Sequence, residues 1–248
     1  MLTIVTALPW EAERFAARLR GRRRAALGEG WAVWGERGRV QVRVVVSGPG
    51  MERAEQAAKG LAELDPAATG ILATGFAGGL SEDVRPGHLV LATRSQHVRV
   101  AGGRAGPPLA SDREFLAFAE QALRRAGVPW QSGDILSVDE ALFTPGEKRR
   151  QHEQTRALVV QMEDYAWAQA AQDQGLPFVS VRAVLDPVSA RLPKEVVRWD
   201  WRRRRSSEVA RSVARRPALA VALVRLAWQR RAAVRSIDRL LEALVAQR

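Results

Sequence analysis

Short apolar runs, too brief for helices, recur along this chain with helically spaced stretches between them. Several are apolar at consecutive rather than alternate positions. The runs cover residues 2–8, 40–46, 70–74, 88–92, 135–138, 157–162 and 178–185, and helical patterning covers 11–20, 51–64 and 112–126. A strand that is apolar on both sides has to be covered on both faces. The pattern predicts an α/β fold, a three-layer helix–sheet–helix arrangement around a central mixed sheet. At 248 residues, 46% of them apolar, the chain can fill a substantial core.

Charge divides the sequence. From Arg191 onward there are 16 Lys and Arg against 5 Asp and Glu, whereas the preceding 190 residues hold 23 against 22. Almost all of the net +12 therefore belongs to the C-terminal stretch. Residues 1–190 are expected to form one α/β domain, and 191–248 a basic helical region packed on it or extending from it. The stretch 102–108, "GGRAGPP", reads as a loop.

There is no cysteine, which removes thiolate nucleophiles, disulfides and thiolate metal sites. His88, His97 and His152 lack metal-ligand spacing, so no metal is expected. The opening run MLTIVTALPW has no basic leader, and no apolar stretch approaches the roughly 20 residues of a membrane span. A cytoplasmic protein, peripheral at most to a membrane, is expected.

In α/β sheets ligands gather beyond the carboxyl ends of strands. Four acids fall there: Glu11, Asp139, Glu163 and Asp186. Any one of them serves equally well as a helix cap or a partner of the helix dipole, so it is their convergence that suggests a site. "TGFAGG", residues 74–79, supplies small residues at a further strand exit, where a ligand can approach the backbone. It is neither G-x-G-x-x-G nor a P-loop.

Several segments resemble one known group in the right order. "ILATGFAGGLSEDVRPGHLVLAT" is similar to the glycine segment of the nucleoside phosphorylase/nucleosidase superfamily, which includes methylthioadenosine/S-adenosylhomocysteine nucleosidases. "VVQMEDYAWAQAA" resembles its Met-Glu ribose segment, "LPFVSVRAVLDP" its strand ending in the base-binding aspartate, and "VVVSGPGMERAEQAA" its Gly-x-Gly turn and helix. The likeness spans about residues 1 to 190. "ILSVDEALFTPGEK", "RLP" and "RRPALAVALVRLA" look most like the hopanoid-associated phosphorylases, thought to remove adenine from adenosylhopane.

The resemblance implies cleavage of the N-glycosidic bond of a purine nucleoside with release of free base. The substrate is a lipid-linked adenosine, or, in a soluble nucleosidase, methylthioadenosine, S-adenosylhomocysteine or futalosine. A nucleoside-binding protein that has lost the reaction is the alternative of another class. By the same resemblance Glu163 holds the ribose hydroxyls with Met162 against the sugar, Asp186 serves the purine N7, and Glu11 activates the nucleophile. Gly75, Phe76, Ala77, Ala141 and Phe143 line the pocket. The resemblance leaves phosphorolysis and hydrolysis both open; no cofactor is implied, inorganic phosphate being a co-substrate only in the first case, and a homo-oligomer is expected.

This chain lacks, near "ALPWEAERF", the Gly-Asp-Pro-x-x-Arg-like phosphate loop of the larger phosphorylases, and it departs from the family pattern at four residues. Phe76 replaces a common serine of the nucleophile or phosphate site, Gln161 a common acid, Leu185 a common serine, and Ala141 the aromatic residue that stacks on adenine, a place Phe143 is near enough in sequence to take. Arg14, three residues beyond Glu11, is either a phosphate contact or a solvated arginine.

In the C-terminal region Leu219, Leu223, Leu226, Ile237, Leu240, Leu241 and Leu244 recur at helical spacing among arginines. The region either folds back on the sheet or meets an anionic membrane, with Trp199, Trp201 and Trp228 as interfacial side chains. Nucleic acid is not expected as a partner, because no reading motif accompanies the charge.

Overall fold

The computed structural model describes residues 1–64, 68–99, 106–194 and 217–246. Most of the expected 102–108 loop and residues 195–216, with Trp199, Trp201 and Arg202–Arg205, lie outside the described residues. The strands are β1 (Leu2–Thr6), β2 (Arg20–Leu27), β3 (Gly30–Arg37), β4 (Val40–Val46), β5 (Ile71–Gly79), β6 (Leu89–Val98), β7 (Leu109–Ala110), β8 (Trp130–Val138), β9 (Val159–Gln161) and β10 (Phe178–Asp186). The helices are α1 (Pro9–Ala17), α2 (Met51–Leu64), α3 (Arg113–Ala126), α4 (Pro145–Thr155), α5 (Asp164–Asp173) and α6 (Pro217–Val245).

One mixed sheet runs β10-β6-β8-β9-β5-β1-β4-β3-β2, and β10 also pairs with β5, so five of the strands close on themselves while the remainder form an open arm. β7 is a short addition to β6. The consecutive apolar runs are explained by what covers them. On one face α1, α3 and α6 meet Leu2, Ile4, Val42, Val44, Leu72 and Val181; on the other, α2 and α5 meet Val5, Val45, Ile71 and Ala73. This is the expected α/β three-layer arrangement around a mixed sheet.

The sequence pattern is silent on several elements, β2, β3 and α4 among them, and wrong about the glycine cluster. β2 reads RGRRRAAL, with four arginines exposed on the sheet's edge, and it pairs antiparallel with β3. An edge strand blunted by charge has no apolar alternation to reveal it. α4 is opened by the Thr144–Glu147 capping box and carries little apolar surface. The glycine cluster expected at a strand exit lies inside β5: β10 pairs in parallel through Gly78, and β9 pairs antiparallel with Gly78 and Gly79.

α6 is built into the core. Ala233, Ile237, Leu240, Leu241 and Leu244 are fully buried beneath the sheet. Arg18 donates from Nε to Glu242 at 2.8 Å and Arg37 from Nη2 to the same carboxylate at 3.0 Å, tying α6 to α1 and β3. Ser236 donates to the carbonyl of Gly87 at 2.7 Å, where a Cβ on Gly87 would stand 3.1 Å from the Ala232 methyl. Leu240→Ala should lower unfolding free energy by about 2–5 kcal/mol, measured by urea denaturation, through lost transfer energy and the cavity left behind.

Candidate active site

The first carboxylate is placed by α1. Glu11 lies in the helix's first turn, buried at 3% exposure, and accepts the Leu8 N–H at Oε2 (2.7 Å) and the Phe76 N–H at Oε1 (2.8 Å). Gly75 makes this possible. Its φ is +136°, and a Cβ there would stand 2.7 Å from Glu11 Oε1, so the carboxylate rests on bare backbone. Burial pushes the Glu11 pKa up to about 7; Arg182 and the two N–H donors oppose the rise, and Glu163 adds to it.

Glu163 arrives from the other side. β9 pairs antiparallel with β5, so the chain leaving Val160 beside Gly78 returns toward the level of Gly75. The Glu163 Oε1 accepts the Gly50 N–H at 2.8 Å, Gly50 being the φ +101° glycine of the turn between β4 and α2. Burial raises its pKa, and Arg182 is the main opposing influence. Gln161, expected on the family pattern to be an acid, is buried: its carbonyl oxygen accepts the N–H groups of Glu163 and Asp164, while its amide donates to Ser137 Oγ at 2.6 Å. A neutral amide completes the start of α5 without adding another negative charge beside Glu163.

A residue outside the sequence-based set joins the two acids. Arg182, on β10 beside Gly75, is 1% exposed and forms a bidentate ion pair with the equally buried Asp164, with Nε to Oδ1 at 3.1 Å. Ser180 donates to the other Asp164 oxygen at 2.6 Å. Burial disfavours the guanidinium charge, but Asp164, then Glu163 and Glu11, outweigh it and hold Arg182 charged. Its Nη1 has no hydrogen-bond partner among the described residues. One signal was available in the sequence: an arginine inside the otherwise apolar run FVSVRAVL can be buried only with a counter-charge.

Asp186 closes β10 opposite Gly78, three positions beyond the Arg182–Gly75 pair, or about 10 Å along the strands. The register slips between Val184 and Asp186, so Leu185 occupies an irregular position that redirects the aspartate. Asp186 is buried and pairs with the Lys148 ammonium, which also donates to the carbonyls of Pro187 (3.0 Å) and Ala190 (3.2 Å). Burial raises the Asp186 pKa and Lys148 opposes it. Lys148 is 1% exposed on α4, and in the sequence only its place at the end of "ILSVDEALFTPGEK" marks it.

The other expected site residues are spread more widely. Met162 is half-buried beside Leu142, Val98 and Leu136. Ala141 and Phe143 are half-buried before α4, with the Phe143 N–H donating to Glu147 at 2.8 Å and the Lys194 ammonium 5.5 Å from its ring. The Phe76 ring packs against the α1–α3–α6 core, and the Ala77 methyl points into a separate apolar cluster with Val84 and Val184. Asp139 faces His97 at 3.7 Å. Arg14 is exposed and lines a groove of about 440 Å³ between α1 and α6, to which neither Glu11 nor Glu163 contributes.

The site thus combines a buried guanidinium shared by three acids with a fourth acid three positions along the same strand pair. The model of the Phosphorylase superfamily matches residues 2–221. The chain belongs to the Phosphorylase superfamily. Its members include the nucleoside phosphorylases and nucleosidases, and this chain is an enzyme of that group. Among solved structures, a methylthioadenosine/S-adenosylhomocysteine nucleosidase from Neisseria meningitidis, in complex with methylthio-immucillin-A, superposes with a TM-score of 0.79 at 21% identity, covering 100% of this chain and 99% of that one. An S-adenosylhomocysteine nucleosidase from Streptococcus pyogenes matches at 27% identity and TM-score 0.68, over 76% of this chain and 84% of its own. Futalosine hydrolase of Helicobacter pylori gives 0.78 at 16%, covering 100% and 97%.

In this superfamily member the raised Glu11 pKa has a stability consequence. A carboxyl whose folded pKa lies above its unfolded value stabilises the fold below the unfolded value, and that contribution is lost as pH rises through the folded one. Unfolding free energy should therefore fall between about pH 4.5 and pH 7, by on the order of 3 kcal/mol from Glu11. Glu11→Gln should flatten that slope in urea denaturation across the same range.

Proposed function

We propose that this enzyme hydrolyses the N-glycosidic bond of an adenine nucleoside, with Asp186 as general acid, Glu163 as ribose ligand and Glu11 as the base that activates water. The observation carrying this reading is Arg182, which draws Glu11 and Glu163 into one charge cluster on the same strand pair that ends in Asp186. The Asp186 carboxyl gives a proton to the purine N7, the bond from N9 to C1′ breaks, and the base leaves neutral. Water then bonds to C1′ while its proton passes to Glu11. A carboxylate with a pKa of about 7 is suited to accept that proton near neutrality. The cationic character of the sugar in the transition state is favoured by the surrounding carboxylates, as in glycosidases.

Electrostatics favours water over phosphate. Glu11, Glu163 and Asp164 share a single guanidinium, so a phosphate dianion placed there is repelled by each acid that stays ionised and pushes Glu11 and Glu163 further toward protonation, which removes the base. At about 5 Å each unbalanced pair costs on the order of 3 kcal/mol at an effective dielectric constant of 20. The Phe76 side chain supplies no polar contact, and Arg14 belongs to the outer groove. The 5′ substituent is chosen by groups beyond this cluster. The likeness of the C-terminal region to hopanoid-associated phosphorylases puts a lipid-linked adenosine first in an assay panel, beside methylthioadenosine, S-adenosylhomocysteine and futalosine.

Purified enzyme should release free base from at least one panel member at a rate independent of added phosphate, leaving free sugar. Sugar 1-phosphate would overturn the choice of water, and no base release would overturn the reading. Asp186→Asn should lower kcat by about 10²–10⁴ with ligand binding retained. Lys148→Met leaves burial unopposed at Asp186, so the falling limb of the kcat/KM profile should move to higher pH. An unchanged profile would leave Lys148 a packing role only.

A further inference from the structure

The two halves of α6 obey different rules. From Ala233 onward the helix buries one side in the core. Its first half is apolar on opposite sides: Leu219 is buried and Leu223 and Leu226 half-buried toward the protein, while Val221, Val224 and Trp228 are 73%, 60% and 67% exposed. These three are the large hydrophobic side chains left exposed among the described residues, and their spacing of three and four places them on a single stripe. A helix with apolar residues all round requires cover on its outer side.

Charge beside the stripe indicates what provides that cover. Arg225 and Arg231 flank it, both exposed, with the Arg231 guanidinium 6.0 Å from the Trp228 ring. Next to it lies the groove of about 440 Å³ between α1 and α6, lined by Arg14, Arg230, Arg231 and Arg235 with Trp10, against the one acid Glu13. A second copy meeting this face through a two-fold axis would set these arginines against their own counterparts. An anionic lipid surface does the opposite: phosphate headgroups neutralise the arginines while valine and tryptophan enter the interfacial layer.

We propose that the outer face of the first half of α6, with the adjoining arginine groove, docks this enzyme peripherally on anionic bilayers. No helix among the described residues is long and apolar enough to cross a membrane, so contact of this kind is adsorption to one leaflet. The inference is independent of the reaction proposed above. Such a surface would concentrate the enzyme where an amphiphilic substrate partitions.

The test is co-sedimentation of the full-length chain with vesicles of phosphatidylcholine, alone or mixed with phosphatidylglycerol, at low and high salt. Binding should be roughly tenfold stronger to the anionic vesicles and weaken with salt. The double variant V224S/W228S should lose roughly tenfold in partitioning while keeping wild-type circular dichroism and thermal midpoint. R231S/R235S should lose the salt-sensitive part. Equal binding to both vesicle types would overturn the proposal, as would unchanged partitioning of V224S/W228S. A fall in molecular mass of V224S/W228S by sedimentation velocity would also overturn it, since the stripe would then be a contact between copies.

Discussion

Arg182 is the interaction on which the site depends. A guanidinium out of water costs several kcal/mol unless its partners are close and well oriented, and removing one partner of a buried pair leaves the other uncompensated. Asp164 supplies the direct ion pair, and Glu11 and Glu163 add the longer-range attraction that keeps the arginine charged. The dependence runs both ways. Without Arg182, three buried acids would face one another, and burial alone would drive their protonation. A structural ion pair thus sets the proton affinity of the groups that would carry the chemistry.

Backbone economy lets the cluster form. Gly75 admits the Glu11 carboxylate against β5, and Gly50 offers its N–H to Glu163 from a conformation that side chains rarely adopt. The closure of β10 onto β5 aligns Arg182 with Gly75 and Asp186 with Gly78. At the far end of that alignment Lys148 pairs with Asp186 from a helix 38 residues upstream, giving the two ends of the site opposite electrostatic settings. The three acids on the Arg182 side share one cation, whereas the single acid at the other end has one of its own.

Much of the fold could be read locally. The apolar runs that became β1, β4, β8, β9 and β10 needed only their own residues, because strands covered on both faces carry the record of that cover in sequence. β2 and β3 could not be read in this way, since the arginines of β2 record exposure at a sheet edge instead. The 74–79 segment looked like a turn because glycines usually terminate strands; here they continue one because carboxylate and backbone approach from both sides. Glu11, Glu163 and Asp186 were legible from their positions at strand ends and from family likeness. The run FVSVRAVL marks Arg182 as a buried cation but names no partner, and Lys148 carries no such mark; the counter-charges that define both lie 18 and 38 residues away.

By itself, then, the sequence determined the layers, the class of fold and which acids stand at strand ends, because burial periodicity and strand termination are properties of neighbouring residues. Only the tertiary structure decided which charges share an enclosure, which glycine lies under a carboxylate and which half of α6 belongs to the core. Those outcomes depend on sheet closure and register, which bring together residues whose separation along the chain carries no trace of their contact. The proton affinities of the candidate catalytic groups follow from that enclosure, since the same glutamate that titrates near 4.5 in an open chain is held near 7 once water is excluded around it.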